Sequence, residues 1–320
     1  MTRKNAMGAL SLRRRAHPDG FTFIELLVCL SIASILFGLT LPALEMAHES
    51  ANRTACMNNL KQLGLAVHQY HGVYNKLPPC RLDNQGGLTW AVLLLPYLEQ
   101  DDYYRMWNLH LPYYLHSDAV RKHEINVFEC PSLVRYGATT STAESATVNN
   151  DDDGPGSAAS INPPGGRMTY AVCAGDDQKT FRTADADGAV ILAQFQLDKN
   201  GRLLSWMSLT SFQSITDGLS NTLLIGDKYI PFGLSTAFHY GDSSAYNGNR
   251  PNVISRVAGP KNLLAKSTTA RFRNNFGSFH PGLCNFVYAD GSVHSLSTET
   301  DGTILGLLAN RSDGLSVSEP

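Results

Sequence analysis

The sequence predicts an α+β fold: one long N-terminal helix, transmembrane in its first half, packed on an antiparallel β-sheet head with long variable loops. Three observations carry this. Phe21 to Ala43 is a 23-residue run in which Glu25 is the only charge. From Glu45 to His71 the only Gly or Pro is Gly64, and Leu60, Leu63, Val67 and Tyr70 recur on one helical face. Beyond Met168, short runs rich in β-formers are separated by Asp-Gly, Asn-Gly and Pro-Gly pairs.

The first element follows from length and charge. About 20 apolar residues suffice to cross the hydrocarbon of a bilayer, and the Phe21–Ala43 run exceeds that. Arg3, Lys4, Arg13, Arg14 and Arg15 against Asp19 make the preceding flank basic, which keeps it in the cytoplasm and sends the C-terminal side across. A secretory signal would have a shorter apolar region ending at a small-residue cleavage site. Here the run is longer, and Leu41 to Ala47 continues as helix-compatible sequence. An ordinary anchor accounts for all of this except Glu25, because an intramembrane acid is costly and needs a partner.

Gly20 followed by Phe21-Thr22-Phe23-Ile24-Glu25-Leu26-Leu27 resembles the leader of type IV prepilins and of type II secretion pseudopilins. The resemblance implies cleavage by a prepilin peptidase between Gly20 and Phe21, methylation of Phe21, and Glu25 at the fifth mature position. There Glu25 would neutralise the amine of a neighbouring subunit, pairing two charges that are costly apart in an apolar filament core. Pro42 falls where pilin helices are often kinked, since proline removes a backbone donor.

The helix is expected from about Phe21 to His71, on the order of 75 Å, with its stop marked by Gly72 and Pro78-Pro79. The expected organisation is a leader at 1–20, a membrane or filament-core helix at 21–43, its periplasmic half at 44–75 and a head at 76–320. Residues 137–167, poor in large apolar side chains, read as a loop-rich insertion. Candidate strands are Met168–Cys173, Ala189–Phe195, Leu203–Leu209, Thr222–Gly226, Phe276–Phe279, Asn285–Ala289 and Ser292–Leu296, arranged as an antiparallel meander.

Ala51 to Pro79, Thr89 to Gln100, Phe128 to Ser132 and Thr216 to Asp227 resemble a bacterial family of prepilin-like proteins whose C-terminal signature is His, nine residues, then Asp-Gly. Here that signature is His280, Asp290 and Gly291. Cys56 and Cys130 lie in the matching blocks, so the resemblance implies a disulfide tying helix to head. It supplies architecture and membrane processing but no reaction.

Chemistry is otherwise sparse. The 26 Lys+Arg against 28 Asp+Glu exclude a strongly basic nucleic-acid binder. No Cys-x-x-Cys pair supports zinc or thioredoxin-like chemistry, and no nucleophile elbow, phosphate loop or zincin helix occurs. Five cysteines beyond Cys29 would face the periplasm, so at least one stays unpaired. His68 and His71 share a helix face without the further ligands a metal site needs. Calcium is the one ion the acidic turns raise. Asn149, Asp151 and Asp153 before Gly154, and Thr183, Asp185 and Asp187 before Gly188, alternate as in a hand-type loop, but the twelfth positions are Ser160 and Gln194. Turn chemistry is the preferred account, and no cofactor is expected.

The reading is a single-pass inner-membrane subunit, N-terminus cytoplasmic and head periplasmic. It would be assembled with other pilin-like subunits in a pseudopilus or type II secretion-like system. Its partners are the prepilin peptidase, the membrane and those subunits. Two other classes stay open. One is a membrane-anchored binding module for carbohydrate or protein, with Trp90, Trp107 and Trp206 as contacts. The other is a periplasmic enzyme using His280 and Asp290, whose placement at a strand end and in a turn is also the ordinary structural one.

Overall fold

The computed structural model describes residues 22–132, 163–231, 243–249, 251–267, 269 and 272–315. The chain divides into two compact units, residues 1–48 and 49–320.

In the first unit, α1 (Phe23–Tyr74) begins. Phe23, Ile24, Leu27, Leu30, Ile35, Phe37 and Leu41 are all exposed along it. A helix that is apolar all round and buries none of this surface in its own chain has the character of a membrane or filament-core segment. The helix runs through Pro42, whose missing N–H leaves the carbonyl one turn earlier, that of Gly38, without its helical donor.

In the second unit, α1 buries Cys56, Leu60, Leu63, Gly64, Ala66, Val67 and Tyr70, a stripe at helical spacing. The helix passes the Gly72 expected to stop it. It ends after Tyr74 because Asn75 turns left-handed (φ 52°) while its N–H reaches the His71 carbonyl at 2.7 Å. Polar side chains on the flanks of the stripe fix the register. Arg53 donates to Ser295 Oγ (2.9 Å), Asn59 to the Glu129 carbonyl (2.9 Å) and Lys61 to the Gly291 carbonyl (2.7 Å).

That stripe packs on a five-stranded sheet built from β1 (Tyr170–Cys173), β4 (Leu223–Asp227), β5 (Ser255–Arg256), β6 (Leu283–Tyr288) and β7 (Val293–Ser297), in the order β5-β1-β4-β6-β7. A separate hairpin joins β2 (Gln194–Leu197) and β3 (Leu203–Met207). Alternation sorts the sheet into two faces. Tyr170, Val172 and Val287 join the core shared with α1. Ala171, Cys173, Cys284, Phe286 and Tyr288 join a second core with Leu305, Leu308 and Ala309 of the last helix, Gly302–Ala309. Burial on both faces explains why β1 and β4 read as continuous apolar runs. Asp301 caps that last helix by accepting from the Thr303 N–H (2.7 Å).

Several expectations are corrected. The strands do not form a meander: β2 and β3 leave the main sheet, and β1 pairs parallel with β5 while its other neighbour is antiparallel. Of Ala189–Phe195 only the last two residues enter a strand. Val190 to Leu192 are buried, and the backbone there pairs singly with Cys173 and with the Cys80–Arg81 segment, which satisfies it without a ladder. Phe276 makes only an isolated bridge to Lys228. Residues 137–162 of the expected insertion lie outside the described residues, and Gly165 to Arg167 are buried, so that end is core rather than loop.

Gly64 lets α1 approach the sheet, since a Cβ there would meet Val287 Cγ2 at 2.7 Å. Overpacking typically costs about 1–3 kcal/mol. Gly64→Leu is therefore expected to lower stability by about 2 kcal/mol even though leucine favours helix. Equilibrium denaturation of the full chain in detergent checks this, and an unchanged midpoint would refute the close contact.

Candidate functional site

Two regions carry the candidate residues. At the start of α1, Thr22 and Glu25 form a capping box. The Glu25 carboxylate accepts from the Thr22 N–H (2.8 Å) and hydroxyl (2.7 Å), while the Glu25 N–H donates to Thr22 Oγ1 (3.4 Å). The residue thus has a structural role within its own subunit, besides the one the resemblance implies. Its charge also sits where the helix dipole favours an anion. Gly20 and Phe21 lie outside the described residues.

The second region forms where α1 meets the C-terminal strands. His280, just before β6, is buried, with its side chain only 1% exposed. Its Nδ1 lies 2.5 Å from Glu49 Oε1, a charge-assisted contact. Ser132 Oγ donates to Glu49 Oε2 at 3.1 Å and lies 3.5 Å from the same ring nitrogen. On the opposite side, His280 Nε2 is 3.5 Å from Cys130 Sγ. Cys130 is joined to Cys56 of α1 by a disulfide, with Cα atoms 5.1 Å apart.

A further acid lies close by. Asp227 closes β4 and is fully buried, and its Oδ2 accepts from the Asn285 N–H and side-chain amide, both at 2.9 Å. Its Oδ1 has no partner among the described residues. Burial pushes its carboxyl up to about 6, against a smaller downward pull from His280 and the Asn285 bonds.

His280 and Asp290 are not brought together. They stand beyond opposite ends of the six-residue β6, roughly 20 Å of strand. Asp290 is exposed and serves the turn, accepting from the Ser292 N–H (2.8 Å) and hydroxyl (2.6 Å). Within that turn only Gly291 has positive φ (81°), and the Gly291 N–H reaches the Tyr288 carbonyl (2.9 Å) while the Tyr288 N–H reaches the Ser292 carbonyl (2.9 Å). That is a three-residue loop with a glycine bulge. The partner of His280 is instead Glu49, which sequence reasoning passed over. Its signal was its place seven residues before Cys56, an acid in line with the buried stripe of α1.

The remaining candidates have structural surroundings. Trp90 and Trp107 are buried, Trp90 Nε1 donates to the Ile254 carbonyl (3.1 Å), and Trp206 is half-buried. A cavity of about 260 Å³ lined by Gln62, Gln100, His123 and Glu124 includes none of the three. His68 and His71 flank the Phe212 ring at 4.5 and 4.4 Å. Cys80, Cys173 and Cys284 are buried and free, Cys29 is free and exposed, and burial pushes the Cys80 and Cys173 thiols up to about 11 and about 12. In the acidic turns, Asp187 Oδ1 accepts from the Asp176 N–H (2.9 Å), whereas Asn149 to Ser160 lie outside the described residues.

Comparison with known proteins agrees with the division seen at the N-terminus. Residues 16–41 match the prokaryotic N-terminal methylation motif, which makes this a prepilin-type, pilin-like protein. Competence protein ComGC of Halalkalibacterium halodurans is 36% identical over 62 residues, 19% of this chain and 61% of that protein. The chain thus spans about three fifths of the length of the curated relative it matches. No solved structure matches. Residues 45–303, most of the chain, match the family described as "Protein of unknown function (DUF1559)", and the chain belongs to that family.

Proposed function

We propose that this chain is a pseudopilin-type structural subunit. A prepilin peptidase cleaves it between Gly20 and Phe21 and methylates Phe21, and it assembles with other pilin-like subunits in a pseudopilus or type II secretion-like system. The observation that carries the reading is the coincidence of the methylation motif at 16–41 with a long helix whose first unit exposes its whole apolar surface. Such a surface needs either lipid or other copies of itself. The inferred path is insertion with the basic flank cytoplasmic and the head periplasmic, then extraction into a filament. The inferred arrangement is a leader at 1–20, a filament-core helix at 21–43 and a head beyond it.

Glu25 would meet the Phe21 amine of an adjacent subunit. Because Glu25 also caps its own helix, two substitutions separate the roles. Glutamine preserves a capping box while removing charge; alanine removes both. Both Glu25→Gln and Glu25→Ala are expected to abolish incorporation into sheared filaments, measured by immunoblot. Incorporation of Glu25→Gln at the wild-type level would reduce Glu25 to a cap. Mass spectrometry of the mature N-terminus, with and without the peptidase, tests the processing. An N-methylated Phe21 that depends on the peptidase is the expected result, and an intact leader in both strains would overturn it.

The binding-module alternative loses two of its three contacts to the core, since Trp90 and Trp107 are buried and only Trp206 is part-exposed. The enzyme alternative loses its pair, since β6 separates His280 from Asp290. A structural subunit is the reading these observations support.

A further inference from the structure

The Cys56 and Cys130 sulfurs and a His280 ring nitrogen converge on one buried spot, all within 4.8 Å of one another. A staple alone leaves this unexplained. The Glu49 carboxylate, 2.5 Å from Nδ1, is placed to accept a proton carried on that nitrogen. In the tautomer with the proton on Nδ1, the Nε2 lone pair faces Cys130 Sγ at 3.5 Å, and a bridged sulfur has no proton to donate to it. The second ring nitrogen is thereby directed at the sulfur pair. A carboxylate on the remote nitrogen of a histidine is the usual outer partner of a metal-bound imidazole.

We propose that, once the disulfide is opened, Cys56, Cys130 and His280 form a Zn²⁺ site, with Glu49 as the positioning residue for His280. Two thiolates and a neutral imidazole are a donor set suited to zinc. Burial of Cys56, Cys130 and His280 shields the site from bulk solvent, and the three protein donors leave the fourth tetrahedral position to a water or another small ligand. The disulfide and the metal exclude each other. A dithiol supplies the two electrons and two protons: the Cys56–Cys130 bond breaks, both sulfurs become thiols, and the reductant leaves as its own cyclic disulfide. Zn²⁺ then displaces the two thiol protons. The ligands are 74 residues apart between the cysteines and 150 between Cys130 and His280, so no short Cys/His motif displays the site. This inference concerns residues 49–320 and stands independently of filament assembly.

The test uses the full chain in detergent, reduced with dithiothreitol and moved anaerobically to thiol-free buffer. Reduced protein is expected to bind one Zn²⁺ per chain, and Co²⁺ in its place to give thiolate-to-cobalt charge-transfer absorption. The oxidised protein is expected to show neither. Glu49→Gln, whose disulfide remains available, is expected to weaken zinc binding about 10–100-fold after reduction. The triple variant Cys80→Ser, Cys173→Ser, Cys284→Ser is expected to bind as the wild type does. Should reduction unfold the chain, added zinc is expected to restore its protease resistance. Failure of the reduced chain to bind or refold with zinc, or a cobalt band that survives in Cys130→Ser, would overturn the proposal.

Discussion

Replacing both Cys56 and Cys130 by alanine is expected to lower the stability of residues 49–320 by about 4 kcal/mol under oxidising, metal-free conditions. The bridge closes a loop across a sequence separation of 74 residues. In the chain-entropy account, a loop of that length removes about 4–5 kcal/mol of unfolded-state freedom. The expected effect is large for a second reason. Cys56 belongs to α1 and Cys130 to the head, so the bond ties the helix stripe to the head covalently. Denaturant titration of the full chain in detergent, with chelator present, measures the effect through the midpoint at constant slope. A loss below about 1 kcal/mol would mean that packing along Leu60, Leu63 and Val67 already restrains the unfolded chain, and would remove the disulfide's claim to be the main clamp.

How much of this was legible in the sequence follows from the range of the interactions. The apolar span and the stripe through Leu60, Leu63, Val67 and Tyr70 are local periodicities, and both appear as helix. The apolar runs around Tyr170, Leu203, Leu223, Leu283 and Val293, which end at turn residues, likewise appear as the expected strands. Composition alone misled where it had no partner to consult. Val190, Ile191 and Leu192 look like a strand because they are apolar and extended. They are instead a buried connector, satisfied one bond at a time by Cys173 and Cys80. The converse error concerns Ser255–Arg256. A two-residue polar strand has no periodicity to read, yet it makes the sheet's parallel edge and buries Arg256, whose guanidinium reaches the carbonyls of Asn275 and Tyr229.

The site shows the same limit more sharply. Asp290 was readable as a turn residue because its partners are two positions away. His280 was readable as special but not as paired, since Glu49 is 231 positions distant. Cysteine spacing argued against zinc for the same reason: a short motif reports only ligands that one turn can gather. The fold instead gathers them from α1, from the segment ending at Ser132 and from the approach to β6.

Asp227 gives the remaining large effect, and its sign follows from burial. The carboxyl is raised from an ordinary value near 3.8 to about 6 in the folded chain. The native state therefore holds this proton more tightly than the unfolded state. The stability it contributes is fully present below about pH 3.8 and is lost as pH rises through about 6. A shift of about two units corresponds to roughly 3 kcal/mol at most. Asp227→Asn cannot ionise, so its stability relative to wild type is expected to rise by about 2–3 kcal/mol between pH 4 and pH 7.5. The absolute difference also contains whatever the new amide gains or loses where Oδ1 now lies unpartnered. That offset does not titrate, so the pH dependence isolates the carboxyl. The titratable groups facing it are His280, which pulls the carboxyl down, and Tyr170 and Cys284, which stay neutral across this range because burial and the Asp227 charge oppose their ionisation. Denaturation midpoints of both proteins at pH 4, 5, 6 and 7.5 decide the matter. A difference constant across that series would show that folding leaves the proton affinity of Asp227 unchanged, with its hydrogen bonds and His280 offsetting the whole effect of burial.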